Sequence, residues 1–335
     1  MDFRHQNMNK LYHLIKTSEI PLKVIEEIFE KAEWFEREHQ KGRRNFNNLK
    51  GATLCSLFYE ESTRTRFSFE RAIHNLGGNV ISTEAAAQFS SAHKGESLEH
   101  TIKIISGKAL SHLRYADIII LRHPEKGAAE KAAKVSGVPI INAGDGSGEH
   151  PTQALLDAYA FKRFLGRLSH FSICFVGDLK FSRVIGSDAI LLSQYPGIKM
   201  FFVAPKGFEI KEELKSYLRQ KGVEFKETDD IKKVVCQSDI AYIVRVQKNR
   251  ISDRNLLQTY QQNKDNYAVT KEVYEMSEKK GTLFCHPMPV DEKEKEIRPE
   301  VENLPRIKMF EQAGYGVPIR MAVLELIWRN LTDKK

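Results

Sequence analysis

ATLCSLFYEESTRTRFSFERA (52–72) joins two kinds of chain in one line. Residues 52–59 are a short, mainly apolar run of strand length, and residues 65–75 take up the spacing of a helix. A buried strand feeding into a helix is the building unit of a parallel α/β sheet. Working outward, ADIIIL (116–121) and VPIIN (138–142) read as further strands of a first sheet. FSICFVGD (171–178), IKMFFVA (198–204), SDIAYIV (238–244) and TLFCH (282–286) read as strands of a second. Helical patterns at 97–105, 152–164, 184–194 and 209–221 lie between them. Residues 1–50 carry helical spacing through Ile25, Ile28, Phe29 and Ala32, and IRMAVLELIWRNL (319–331) predicts a terminal amphipathic helix. The two series break near 150–170, so the fold class is α/β in two domains, each with a central parallel sheet flanked by helices.

A chain of 335 residues suits about two domains. Apolar residues make up 41% and charged residues 29%, which excludes disordered and fibrous classes. The 52 basic and 44 acidic residues leave a formal charge of +8. That modest excess suits anionic small molecules better than nucleic acid, whose partners cluster their basic side chains. Cys55, Cys174, Cys236 and Cys285 are scattered, three of them within apolar runs, which argues for reduced buried thiols and against structural zinc. MDFRHQNMNKLYHLIK at the start is broken by charge, and no apolar stretch approaches the ~18–20 residues that span a bilayer. The expectation is a cytoplasmic protein with no membrane or nucleic-acid partner.

Ligands of parallel α/β sheets sit at the C-terminal ends of strands. FYEESTRTRFSFERA (58–72) places hydroxyls and two arginines where a strand gives way to a helix. A helix N-terminus offers unpaired N–H groups and a positive dipole end, to which Ser62, Thr63 and Thr65 add hydroxyls and Arg64 a fork for phosphate oxygens. The same residues also read as a plain helix cap beside surface arginines. LRHPEKGAA (121–129) puts Arg122 after a strand, and NAGDGSGEHPTQALLDAYA (142–160) puts His150 and Gln153 at a helix start behind a glycine-rich turn. His150 alone equally suits a capping or core histidine. VGDLKFSRV (176–184) and VRVQKNR (244–250) bring Arg183, Arg245 and Gln247 just past strands of the second series. A nucleotide-binding reading of VGDLK is weak, since no GxGxxG follows the strand. Lys94, in SSAHKGESLEHT (90–101), reads on composition as a solvated lysine.

STRTR, RHP and HPTQ, in this order with the downstream motifs, resemble the aspartate/ornithine carbamoyltransferases over nearly the whole chain. The resemblance implies a carbamoyl-phosphate-binding domain over residues 1–150, with a C-terminal helix (310–335) packing back on it, and an acceptor domain over 151–309. It implies that Ser62, Thr63, Arg64 and Thr65 bind the phosphate and that Thr65, Arg122 and His150 polarise the carbamoyl carbonyl. Gln153 and the backbone carbonyls of Pro287 and Met288 would receive the carbamoyl amide. Arg183, Arg245 and Gln247 would hold L-aspartate, joined by Ser90 and Lys94 lent by a neighbouring subunit. That sharing implies a homotrimer, with regulatory subunits as open further partners. Glu60 would bridge to Arg183 and Arg250 on domain closure. No metal and no organic cofactor are implied. The implied reaction transfers a carbamoyl group to the α-amine of aspartate, a step of pyrimidine synthesis.

Some positions depart from the family pattern. Asn249 stands where a glutamate often aims the neighbouring arginine, Val290 rather than arginine follows HPMP (286–289), and Tyr315 stands where asparagine is common. The stretch 106–114 is longer than the pattern expects and reads as a surface insertion or an assembly contact. Two alternatives stay open: a transcarbamylase for another amino acceptor, and a non-catalytic anion-binding paralogue.

Overall fold

The structure, a computed structural model, describes residues 11–89 and 91–332. It divides into two compact units, one formed by the chain up to Leu155 together with the segment from Tyr315 onward, the other by Leu156–Gly314.

In the first unit the elements run α1 (Leu22–Gln40), β1 (Thr53–Phe58), α2 (Thr63–Asn75), β2 (Asn79–Thr83), α3 (Ala86–Phe89), α4 (Leu98–Ile105), β3 (Ile118–His123), α5 (Ala128–Val135), β4 (Ile140–Asp145) and the start of α6 (Pro151–Leu165). The strands form one parallel sheet ordered β2-β1-β3-β4, with Leu54 opposite Ile118 and Ile119 opposite Ile140. Each buried Ile, Leu or Phe side chain of such a sheet contributes about 1.5–3 kcal/mol relative to exposure. The outer edge of β4 is covered by the chain before α1, where the Leu14 N–H donates to the Ile140 carbonyl at 2.9 Å and the Leu14 carbonyl accepts the Asn142 N–H at 2.8 Å. The last helix of the chain, α13 (Gly316–Thr332), packs on α1 and α2, with Lys31 paired to Glu325 at 2.7 Å and the Arg320 guanidinium over the Phe69 ring.

The second unit continues α6 and then runs β5 (Ser172–Gly177), α7 (Arg183–Leu192), β6 (Lys199–Val203), α8 (Glu212–Gln220), β7 (Glu224–Thr228), α9 (Lys232–Val235), β8 (Ile240–Val244), α10 (Arg254–Asn263), α11 (Lys271–Met276), β9 (Leu283–Cys285) and α12 (Met309–Gly314). Its parallel sheet is ordered β7-β6-β5-β8-β9. The central strands β5 and β8 are buried along their whole length and pair Ile173 with Ile240 and Val176 with Ile243.

In both sheets the strand order reverses once, between β1 and β3 and between β5 and β8. Neighbouring crossovers leave in opposite directions at such a switch point and open a crevice beyond the strand ends. STRTR follows β1 and the Arg122 segment closes β3, while VGDLKFSR follows β5 and RVQKNR follows β8. The sequence motifs therefore stand at the place in each sheet where a ligand site is expected.

Two strands, β2 (NVIST) and β7 (EFKET), carry no apolar run and were not among those expected. Both are edge strands, largely exposed along their length. An edge strand need not be buried on both faces, so its sequence loses the signal of its neighbours. The stretch 106–114 leaves and rejoins the fold at one point, since Tyr115 and Ala116 both donate backbone N–H groups to the Ile105 carbonyl. It is a surface excursion that exposes Leu110 and Leu113, with Tyr115 at its end.

Candidate active site

In the first unit, Ser62 is the N-cap of α2 but its hydroxyl makes no capping bond, so the plain-cap reading of this residue is not realised. Thr63 and Arg64 are exposed in the first helical turn, and Thr65 is buried. The two arginines of STRTR have separate fates. Arg66 is tied to Glu84 at 2.8 Å beside β2, whereas Arg64 stands at the helix N-terminus where an anion is favoured.

Arg122 lies at the end of β3 and knits three strand ends together. Its backbone carbonyl accepts Tyr59 N–H at 2.9 Å, one guanidinium nitrogen pairs with Glu60 at 3.1 Å, and another donates to the Ala143 carbonyl at 3.1 Å. The Glu60–Arg122 pair is a link that sequence reasoning missed. His150 and Gln153 follow β4 at the start of α6 and are both mostly buried. The His150 carbonyl accepts the N–H groups of Gln153 and Ala154, and its Nδ1 faces the Thr152 hydroxyl at 3.5 Å.

Asp145, quoted in the sequence but given no role there, organises this turn. Its Oδ1 accepts Glu149 N–H at 2.8 Å and the Asn142 amide at 3.2 Å, and its Oδ2 accepts Gly127 N–H at 2.8 Å. The last bond ties the loop after β4 to the loop after β3. Gly146 completes the junction: a Cβ there would lie 2.3 Å from the Pro124 carbonyl oxygen.

In the second unit Asp178 does comparable work. The residue is fully buried, its Oδ1 accepts Phe181 N–H at 2.8 Å, and its Oδ2 accepts Gln247 N–H at 2.9 Å. Burial raises its pKa, against the pull of those amides and of Arg250. The carboxylate thus joins the loop that carries Arg183 to the loop that carries Arg245, Gln247 and Arg250. Arg250 reinforces the joint by donating to the Phe181 carbonyl at 3.0 Å. Gly177 permits it, since a Cβ would meet the Val244 carbonyl oxygen at 2.2 Å. Arg183 is the first residue of α7 and is 7% exposed. Arg245 has acidic company despite Asn249: the Lys293 and Glu294 amides and Lys248, with Arg245 adding to them, hold the Asp291 carboxyl low against its burial, and the Arg245 charge also pulls on Glu296. Burial outweighs that pull at Glu296, whose pKa stands at about 7.

Pro287 and Met288 follow β9 in a turn where Met288 adopts φ +59°. Val290 packs against the apolar core of this unit. Lys94 is exposed at the end of a 3-10 turn (Ser91–Lys94), and Ser90 lies outside the described residues. The structure therefore brings Ser62–Thr65, Glu60, Arg122, His150 and Gln153 to the strand ends of one sheet. Arg183, Arg245, Gln247 and Arg250 gather at the strand ends of the other. Among the described residues no group of three or more His, Cys, Asp or Glu is placed to hold a metal ion, and no helix is long and apolar enough to cross a membrane.

Comparison with known proteins gives these two clusters a family. The carbamoyl-P binding domain of the aspartate/ornithine carbamoyltransferases is matched by residues 12–163, and their Asp/Orn binding domain by residues 169–327. The chain belongs to the aspartate/ornithine carbamoyltransferase family. Among its relatives within that family is the aspartate carbamoyltransferase catalytic subunit of Methanocaldococcus jannaschii, 42% identical over 93% of this chain and 96% of the relative. The chloroplastic aspartate carbamoyltransferase 2 of Pisum sativum is 40% identical over 95% of this chain and 79% of its own length. A solved aspartate transcarbamoylase of Trypanosoma cruzi, in complex with carbamoyl phosphate and aspartate, superposes with a TM-score of 0.86 at 32% identity and covers 95% of this chain and 97% of that one. The carbamoyltransferase match spans both units, so each cluster lies within a matched domain.

Proposed function

We propose that the chain is an aspartate carbamoyltransferase, which moves the carbamoyl group of carbamoyl phosphate to the α-amine of L-aspartate and releases N-carbamoyl-L-aspartate and phosphate in pyrimidine synthesis. The observation that carries the acceptor assignment is Asp178, which holds the Arg183 loop and the Arg245–Gln247 loop together. Two guanidinium groups brought to one set of strand ends suit a dicarboxylate and oppose a cationic side chain such as that of ornithine.

The first unit takes carbamoyl phosphate. Its phosphate lies at the N-terminus of α2, held by the helix N–H groups, the hydroxyls of Ser62, Thr63 and Thr65, and the Arg64 fork. Arg122, His150 and Thr65 donate to the carbamoyl oxygen, and Gln153 with the Pro287 and Met288 carbonyls binds the amide. The unprotonated α-amine of aspartate attacks the carbamoyl carbon, and the carbonyl electron pair moves to oxygen, where fixed donors stabilise the new charge. Collapse of that tetrahedral species breaks the carbon–oxygen bond to phosphate. The departing phosphate takes the amine proton, so no protein base is needed. Holding two anions side by side is the main contribution of the protein, and the arginines offset their repulsion.

The working assembly is a homotrimer in which Ser90 and Lys94 serve the site of a neighbouring subunit. The exposed position of Lys94 suits this role. Glu60 and Arg250 steady the site when both substrates are bound. The buried free thiols of Cys55, Cys174 and Cys285 suit the cytoplasm.

A colorimetric assay of ureido product tests the reading, with purified protein, carbamoyl phosphate and either L-aspartate or L-ornithine. Turnover with aspartate is expected. Turnover only with ornithine would mean the arginines are misassigned, and silence with both would favour another acceptor or a non-catalytic role.

A further inference from the structure

Behind the HPMP turn of the second unit lies a buried polar chain that the steps above do not use. Asp157 on α6 is fully enclosed. Its Oδ2 accepts the Tyr242 hydroxyl of β8 at 2.6 Å, and its Oδ1 accepts the Gln312 amide of α12 at 2.5 Å. Gln312 is 1% exposed, and its side-chain oxygen accepts the backbone N–H of His286 at 2.9 Å. The His286 ring, equally buried, accepts the backbone N–H of Met288 at its Nδ1 at 2.8 Å. The chain thus ends on the two backbone N–H groups that flank Pro287. It holds Met288 in the left-handed region, at φ +59°, which a non-glycine residue seldom adopts. A second buried carboxyl, Asp188 on α7, lies in the field of Asp157. Burial and then that charge raise the Asp188 pKa well above its ordinary value. Asp157, not Asp188, is the carboxyl that the phenol and the amide bind.

We propose that Gln312, anchored on Asp157, is a positioning residue that fixes the 286–288 turn so that the Pro287 and Met288 carbonyls select a carbamoyl amide over a methyl group. The proposal rests on the reading that carbamoyl phosphate is the substrate. Its physical basis is the cost of an unmade hydrogen bond. Two fixed carbonyl acceptors favour a ligand with N–H donors, and they reject an isostere that leaves them dry and unpaired. The selectivity survives only while the turn cannot relax, and the Tyr242–Asp157–Gln312–His286 chain is what prevents relaxation.

The experiment measures KM for carbamoyl phosphate alongside competitive inhibition by acetyl phosphate, which carries a methyl group in place of the amide, and by inorganic phosphate. Wild type is compared with Gln312→Met, which keeps the length of the side chain but loses both bonds, and with Tyr242→Phe, which loses only the far link. The Gln312→Met variant is expected to raise KM for carbamoyl phosphate about ten-fold or more while inhibition by acetyl phosphate and phosphate stays within about two-fold. Tyr242→Phe should move the same ratio in the same direction by about two- to five-fold, and it carries the test if Gln312→Met does not fold. A purely structural role would weaken all three ligands together. That result, or an unchanged ratio in a folded variant of an active enzyme, overturns the proposal alone. A wild type that turns over no carbamoyl phosphate overturns the underlying reading and this proposal with it.

Discussion

The two units use the same dipeptide at corresponding places and put it to different ends. Gly144–Asp145 closes β4 and Gly177–Asp178 closes β5, with the glycines at φ +112° and +118°. Each aspartate accepts one amide from its own loop and one from the loop of a neighbouring strand. Asp145 reaches Gly127, which caps α5, so it secures a helix behind the site. Asp178 reaches Gln247, itself proposed to touch substrate and two residues from Arg245. The first unit presents its ligand groups chiefly from a helix turn and strand ends, which are elements of regular structure. The second presents Arg183 from the first turn of α7 but Arg245 and Gln247 from a loop, which a single buried carboxylate ties to the turn leading into α7. Elements of regular structure position side chains more firmly than loops do, so the two sites should fail differently.

The largest effect is expected where a side chain meets charge directly. Arg64→Ala removes a two-pronged, charge-assisted grip on phosphate, and kcat/KM with carbamoyl phosphate and aspartate should fall by about three orders of magnitude or more. The fold should be untouched, since Arg64 is exposed on the first turn of α2. Steady-state kinetics with a melting curve checks both halves, and retention of substantial activity would sink the phosphate site at α2.

The next effect separates the two aspartates. Asp178→Asn turns an N–H group toward one of the two amides that the carboxylate now accepts. KM for aspartate should rise about ten- to a hundred-fold while KM for carbamoyl phosphate stays within about two-fold. Stability should drop little, because burial already disfavours the charge that the substitution removes. Asp145→Asn disturbs three accepted bonds that hold the frame instead. It should lower Tm by several degrees, about 1–3 kcal/mol, with a smaller change in either KM. Equal kinetic damage from the two variants would erase the contrast drawn between the units.

That contrast also marks what the sequence discloses. The central strands announce themselves because a strand covered on both faces must be apolar throughout, as SICFVG (172–177) and IAYIV (240–244) are. The same rule hides NVIST and EFKET at the edges. Arg64, Arg122, His150, Arg183 and Arg245 stand out as reactive or cationic residues at or just past strand ends. Asp145, Asp178, Asp157 and Gln312 do not, because their partners are mostly backbone amides or residues far along the chain, and no spacing rule displays either. GD in NAGDGSG and again in VGDLK is the one trace of them. A glycine able to take positive φ, followed by a short acceptor side chain, is a device for turning a strand end back on its neighbour.

The smallest effect concerns a second pair of acids. Glu149 in the first unit accepts Thr17 N–H at 2.6 Å, and Glu296 in the second accepts Asp291 N–H at 3.0 Å. Burial raises both pKa values, and Glu296, 4% exposed, reaches about 7. A carboxyl whose folded pKa lies above its unfolded one binds more protons in the folded state between those two values. Unfolding free energy therefore falls as pH rises through the window from 4.5 to about 7, and above it the loss is complete. At about 1.4 kcal/mol per pH unit, that loss is at most about 3.4 kcal/mol. Glu296→Gln keeps an oxygen for Asp291 N–H and removes the charge. Chemical denaturation should find the variant and wild type nearly equal at pH 5, and the variant more stable by about 1–3 kcal/mol at pH 8. A difference that does not grow with pH would mean that Glu296 ionises as an ordinary carboxylate. Arg245 would then be compensating its burial in full, and the second unit would orient that arginine through Glu296 as well as through the loop that Asp178 holds.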